Sequence, residues 1–278
     1  QINGARRWIG LGPLSLQPSE FMKPIIALYA IYSIMGGEAA SLWQFIRLFV
    51  RLSLPLALIL LEPDNGNVVI ILATLVTLFF LSRIRWRYWA LPLIIIAVCG
   101  IGAASRMPHV HDRLRVYLNP ELDILGKGHQ PYQAKIAAGA GGVLGRGVGE
   151  SLQKLNYLPE ARCDYIAAIY AEEFGFIGML ALILLYMAIA AIGLWIAMRA
   201  AAVGGVLGKK LEAASATLTF IIAFQAFLNL GVVSGLLPSK GTNLPFFSQG
   251  GSSLLMNSTL IAILLSIDAH RKRVCISS

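Results

Sequence analysis

The feature that most constrains this chain is a repeated one: apolar runs of 13 to 34 residues, cut by loops in which basic residues collect. Seven runs read as membrane helices, at 20–34, 49–61, 68–81, 90–104, 165–198, 215–237 and 254–267. About 20 apolar residues at ~1.5 Å rise span the ~30 Å hydrocarbon core of a bilayer. Only 13% of the 278 residues are charged and 57% are hydrophobic, where a soluble domain carries about 25% charge. Mean hydropathy is +0.70. The pattern excludes an ordinary soluble domain and predicts an all-α, polytopic membrane bundle, a single transmembrane domain over 1–278.

The net charge of +9 is read by position, because lysine and arginine gather on the cytoplasmic side of membrane proteins. The basic aromatic loop RIRWRYW (83–89) is taken as inside. The inner segments then hold 11 Lys and Arg against 4 in the short outer ones. The other 8 lie in the segment 105–165, which at 61 residues is long enough to escape the rule. This count puts 105–165 outside the cytoplasm and the C-terminus inside. Residue 1 is Gln and no signal-peptide pattern is present, so a preceding segment is expected. Cys99, Cys163 and Cys275 fall in a helix, the loop and the tail, and no disulfide framework is read from them.

Polar residues inside the greasy segments carry the functional signal. Arg6, Arg7 and Trp8 form an interfacial anchor. Ser19 is a candidate helix cap, with Glu20 suited to the first turn. Glu20 and Lys23 stand i,i+3 and can pair, either as an interfacial ion pair or in a polar cavity. Glu62-Pro63-Asp64-Asn65-Gly66 separates two apolar runs and reads either as an interhelical turn or as a lining for water or protein. RAAAVGGVLGKKLE (199–212) reads as a basic loop. PSKGTNLPFFSQGGSS (238–253) reads as a turn-rich connector dipping back into the membrane, carrying Lys240 and Ser252.

The long segment 105–165 is the chemical centre of this reading. It holds eight glycines between 126 and Glu150, interleaved with Lys135, Arg146, Lys154 and Arg162. Glycine backbone can approach a ligand closely, and these cations suit a pyrophosphate. GRGVGE follows no predicted strand, so it is not a dinucleotide fingerprint. His109, His111 and Asp112, with His129 further on, fall short of a dedicated zinc set. Glu160 and Asp164 stand four apart where the loop meets the apolar run. Asp164 suits a helix N-cap, and a carboxylate on an apolar margin also suits a general base. On chemistry alone the cap takes precedence. Glu172 and Glu173 lie further into the helix, as functional carboxylates or as partners of loop arginines.

Four blocks carry a resemblance: NGARRWIGLGPLSLQPSEFMK (3–23), EPDNGNVVI (62–70), GRGVGESLQKLNYLPEARCDYIAAIYAEEFGFIG (145–178) and NLGVVSGLLPSKGTNLPFFSQGGSSL (229–254). In this order they resemble the SEDS family (shape, elongation, division and sporulation), that of FtsW, RodA and SpoVE. The resemblance implies ten helices, of which the seven here look like the last seven. It implies a peptidoglycan glycosyltransferase of the bacterial inner membrane that polymerises lipid II outside the cytoplasm. A class B penicillin-binding protein is the implied partner, beside other divisome or elongasome proteins. The family's essential aspartate lies in an LPE-x-HTDF-like motif. Here that motif reads LPEARCDY (158–165), which maps the aspartate to Asp164 and replaces the His-Thr pair with Arg162-Cys163. The usual SYGGSS reads SQGGSS (248–253). By the same resemblance Arg6, Arg7, Trp8, Glu20, Lys23, Lys154, Glu160, Lys240 and Ser252 are expected to bind substrate. No metal site made of protein ligands is expected; a divalent cation, Mg or Mn, enters only as a companion of Asp164. The phrasing QKLNYLPEA leans to the FtsW branch over a RodA-like elongation polymerase. Two other classes stay open here, a lipid II flippase and a scaffold for the transpeptidase.

Overall fold

The structure is a computed structural model that describes residues 8–11, 14–62, 64–94, 117, 128–153, 163–238 and 241–277. Its elements are a hairpin of β1 (Ile9–Leu11) and β2 (Leu14–Leu16), then helices α1 (Pro18–Met35), α2 (Leu42–Leu61) and α3 (Asn65–Leu81). A helical stretch follows at 86–94. Then come α4 (His129–Ala140), α5 (Ile166–Ala201), α6 (Gly205–Val233) and α7 (Gly251–Ser277). Two compact units are formed. The first contains 1–90, 187–224 and 250–278, and the second contains 91–186 and 225–249.

The helical class holds, and among the described residues four helices are long and apolar enough to cross a membrane: α2, α5, α6 and the part of α7 from Gly251 to Arg273. The protein is a multi-pass membrane protein. The helix α6 is the most enclosed, with 72% of its apolar window buried against 22% for α5. Its side chains therefore meet protein, while much of α5 presents leucine, isoleucine and methionine outward, as lipid requires.

Several boundaries differ from the sequence reading, each for a local reason. The N-terminal segment opens with the antiparallel hairpin, pairing Ile9 with Leu16 and Leu11 with Leu14. The cap of α1 is Gln17, with Pro18 in the first turn, a position where its missing N–H costs nothing. Ser19 is not the cap. The helix α2 starts at Leu42 rather than near 49, because Ser41 and Gln44 form a reciprocal capping box. Asp64 caps α3, accepting from the Asn67 N–H, and moves that start from 68 to Asn65.

Residues 199–212 are mostly helix, since the turn is confined to 202–204 and α6 begins at Gly205. The helix α7 begins at Gly251 and runs on through 268–273, where Asp268 pairs with Arg271 (2.8 Å) and Lys272 (2.7 Å). Such i,i+3 and i,i+4 pairs support a helix beyond its apolar run. Only 86–94 is described around the run expected at 90–104, whose remainder lies outside the described residues.

The core of the first unit packs α1, α2 and α3. Ile26, Ala30, Phe45, Leu48, Leu52, Ile71, Leu75, Leu78 and Phe79 are buried together. Phe45 meets Phe79 edge-on, with ring centroids 5.3 Å apart, an arrangement favoured by the ring quadrupole.

Candidate active site

Two polar centres stand out, one in each unit. In the first unit the start of α1 meets the start of α3. The Asp64 Oδ2 atom accepts from the Ser19 hydroxyl (2.6 Å), Asn67 Nδ2 (2.8 Å) and Gln17 Nε2 (2.9 Å). Asn67 Nδ2 also reaches Glu20 Oε1 at 3.1 Å, and Lys23 Nζ donates to Glu20 Oε2 at 2.8 Å. The Gln17 backbone N–H donates to Ser252 Oγ at 2.9 Å, which ties α7 to the same group. Ser19, Glu20, Lys23, Asp64, Asn67 and Ser252 are all buried. Buried charge is tolerable only when paired and hydrogen-bonded, and here each carboxylate meets donors from neighbouring elements.

In the second unit the turn 163–165 leads into α5. Asp164 is half-buried there. Its carboxylate lies over Gly241: a Cβ at that glycine would come 3.4 Å from Asp164 Oδ2. The backbone of this turn is tied to the segment 241–248. Asn229 Nδ2 donates to the Asp164 carbonyl at 2.8 Å and to the Thr242 carbonyl at 2.6 Å. The Ser248 hydroxyl donates to the Cys163 carbonyl at 2.5 Å and accepts from the Leu244 N–H at 2.7 Å. Tyr186 holds the Pro245 carbonyl at 2.6 Å and Gln225 the Asn243 carbonyl at 2.9 Å. Tyr170 on α5 packs edge-on against Phe247, at 5.2 Å between ring centroids.

Further into α5, the glycine-rich loop wraps a break in the helix. Gly175 has φ 64° and ψ −162°, a conformation essentially reserved for glycine. The carbonyls freed by the break, Glu172 and Glu173, accept from the Arg146 and Gly147 N–H groups. The freed N–H groups of Phe176 and Ile177 donate to the Gly142 and Val143 carbonyls. The buried Glu172 carboxylate then collects Ser151 (2.5 Å), Arg146 (3.2 Å) and the N–H groups of Leu152 and Gln153. Close approach needs glycine here: a Cβ at Gly141 would lie 2.0 Å from the Ala171 carbonyl oxygen. Of the two roles open to Glu172 in the sequence, pairing with a loop arginine is the one observed. The expected long helix over 165–198 is correspondingly two pieces joined at Gly175.

Thus Glu20, Lys23 and Ser252 come together in the first unit, while Asp164 stands in the second. Trp8 is half-buried just before β1. Arg6, Arg7, Lys154, Glu160 and Lys240 lie outside the described residues, as do His109, His111 and Asp112. Among the described residues no group of three or more His, Cys, Asp or Glu could hold a metal ion by itself.

A family model described as cell cycle protein, that of FtsW, RodA and SpoVE, matches residues 1–273. The chain belongs to the FtsW/RodA/SpoVE family. It is 40% identical over 279 residues to a probable peptidoglycan glycosyltransferase FtsW of Legionella pneumophila, covering 98% of this chain and 69% of that one. The FtsW of Nitrosococcus halophilus, similarly named, is 39% identical over 278 residues, covering 98% and 70%. Among solved structures, a chain studied for the coordination of polymerization and crosslinking by a peptidoglycan synthase complex superposes with a TM-score of 0.77. It is 28% identical and covers 98% of this chain and 75% of that one. The rod shape determining protein RodA of Thermus thermophilus superposes with a TM-score of 0.63, at 25% identity, covering 98% and 71%.

Within this FtsW/RodA/SpoVE chain, the sequence reading put Asp64 in a hinge and did not single out Ser19, Asn67, Asn229 or Ser248 as site residues. Signals for some of them were present. Asp64 precedes an apolar run with Asn67 three residues on, a capping pattern. Gln225 and Asn229 are two amides i,i+4 in an otherwise apolar stretch, where polar side chains mark function or packing. Nothing local marks Ser248, because its partner is 85 residues away.

Proposed function

We propose that this chain polymerises lipid II into glycan strands, with Asp164 as the group that activates the attacking hydroxyl. The observation that carries the reading is the half-buried Asp164 carboxylate at the entry to α5, in a chain about 40% identical to named peptidoglycan glycosyltransferases. Those names favour a polymerase over a flippase or a passive scaffold. The FtsW names among the relatives favour a division role over elongation.

In the proposed step the 4-hydroxyl oxygen of an acceptor lipid II bonds to the anomeric carbon of the growing chain. The bond from that carbon to the pyrophosphate oxygen breaks, and undecaprenyl pyrophosphate leaves with the electron pair. The hydroxyl proton passes to the Asp164 carboxylate, a transfer that contributes about 10²–10⁴ in rate. Cations of the loop, Lys135, Lys154 and Arg162 with Lys240 beyond it, would face the leaving pyrophosphate. Arg6, Arg7, Trp8 and Glu160 complete the proposed substrate contacts. Glu20, Lys23 and Ser252 belong to the same proposal, from within the closed cluster of the first unit.

A divalent cation fits this donor set as magnesium does elsewhere, on one carboxylate plus substrate phosphates. Asp164 would hold it, and it would supply charge neutralisation of the pyrophosphate. The proposal also places the long loop outside the cytoplasmic membrane, the C-terminus inside, and a class B penicillin-binding protein alongside as transpeptidase.

The test is a lipid II polymerisation assay on the full-length protein with its transpeptidase, wild type beside Asp164→Asn. Glycan strands from wild type alone support the assignment. Strands of equal yield from both remove Asp164 from the chemistry. No strands from either, with labelled lipid II crossing liposomes, turns the reading to a flippase.

A further inference from the structure

The side chains around Asp164 send their hydrogen bonds to the backbone of the turn and of the segment 241–248. Asn229 is 1% exposed, and its amide spends both hydrogens on two carbonyls, those of Asp164 and Thr242. This fixes which way the amide points, since only the nitrogen can face two acceptors. Its Oδ1 is left buried with no hydrogen-bond partner among the described residues. An orphaned buried acceptor is costly, so a purely packing role is better served by an apolar side chain. The residue is explained if the two donated bonds are what the position requires.

Ser248 repeats the arrangement from the other side. Its hydroxyl bridges the Leu244 N–H and the Cys163 carbonyl, locking the segment 241–248 to the residue before Asp164. The same segment contains Phe246 at φ 63°, a strained conformation for a non-glycine residue. It also contains Gly241 under the Asp164 carboxylate.

We infer that Asn229 and Ser248 are positioning residues for Asp164: a two-sided backbone clamp that sets the carboxylate over Gly241. The clamp rests on the reading of Asp164 as the catalytic base. It acts on the two consecutive carbonyls of 163 and 164, so the backbone is held on both sides of the Asp164 Cα. Misplacing a catalytic group by about 1 Å costs about 100-fold in rate, and losing either bond allows the turn to shift. Asn229→Asp keeps the shape of the side chain and replaces the donors with oxygens facing carbonyls. Ser248→Thr keeps the hydroxyl.

The test uses the full-length protein with its transpeptidase in nanodiscs, measuring the rate of lipid II polymerisation and the affinity for labelled lipid II. Asn229→Ala, Asn229→Asp and Ser248→Ala are expected to lower kcat by about 10- to 100-fold with lipid II affinity unchanged. Ser248→Thr is expected to retain the wild-type rate. Wild-type kcat in Asn229→Asp and Ser248→Ala overturns the clamp, as does a parallel loss of rate and lipid II affinity. Should Asn229→Asp fail to insert, the Ser248→Ala and Ser248→Thr pair decides. Asp164→Asn, run alongside, separates the two claims. If it is inactive while the clamp variants are fully active, the base stands and the clamp falls. If it is fully active, the base falls and the clamp has no catalytic group to position.

Discussion

The two polar centres hold their carboxylates in opposite ways. In the first unit, Asp64 and Glu20 are buried, and their oxygens are met by Ser19, Gln17, Asn67 and Lys23. The donors are side chains and the Asn67 backbone N–H, and the acceptors are the carboxylates themselves. In the second unit, the side chains of Asn229 and Ser248 grip main-chain carbonyls, and the Asp164 side chain stays half-exposed. A carboxylate gripped by fixed donors joins the elements that supply them. Holding the backbone on either side of a carboxylate places that carboxylate accurately. The first arrangement staples helices together; the second fixes the turn that carries Asp164.

The sharpest way to break this contrast is to exchange rate for stability. Asp164→Asn is expected to lower the polymerisation rate by about 10²–10⁴ and leave the thermal midpoint close to wild type. A large fall in the midpoint would put Asp164 with the stapling carboxylates. Glu20→Ala is expected to lower the thermal midpoint. It removes the carboxylate beside the buried Lys23 ammonium, and breaking a buried pair costs about 3–5 kcal/mol. Thermal unfolding in a fixed lipid mixture reads this directly. An unchanged midpoint would mean that the cluster is wetter and more adaptable than its burial implies.

Gly175→Ala probes a third kind of fixation, in which backbone alone joins the loop to α5. Strain at a glycine-only conformation costs about 1–3 kcal/mol. A new Cβ would also lie 2.3 Å from the Gly145 nitrogen. Limited proteolysis should then cut within 141–153 faster than in wild type, and an unaltered cleavage pattern would show that the loop is held without the break. The smallest effect is expected for Ser41→Ala, remote from both centres. It removes one half of a capping box on α2, worth about 1 kcal/mol, with no change in polymerisation rate. A rate change there would show that the first unit is coupled to the chemistry more broadly than the carboxylate contrast allows.

Much of the fold could be read along the chain because a bilayer imposes a simple rule: each span must be apolar and must satisfy its own backbone. That rule alone places α2, α5, α6 and α7. The Glu20–Lys23 pair was equally readable, since i,i+3 neighbours on a helix meet whatever surrounds them. Helix starts set by capping, as at Ser41 and Asp64, were missed because hydropathy is blind to a single hydroxyl or carboxylate before an apolar run. The break at Gly175 was hidden for a related reason. Glycine within an apolar run is common in membrane helices, and only the arrival of residues 141–153 gives the freed carbonyls and N–H groups their partners.

The sequence by itself determined the membrane-helix class, the family and the identity of the candidate aspartate, because composition, periodicity and short motifs are local properties. Only the tertiary structure decided which polar residues meet. Asp64 finds Ser19 across 45 positions, and Cys163 finds Ser248 across 85. A hydrogen bond depends on a distance of about 3 Å and an angle in space, and sequence separation specifies neither.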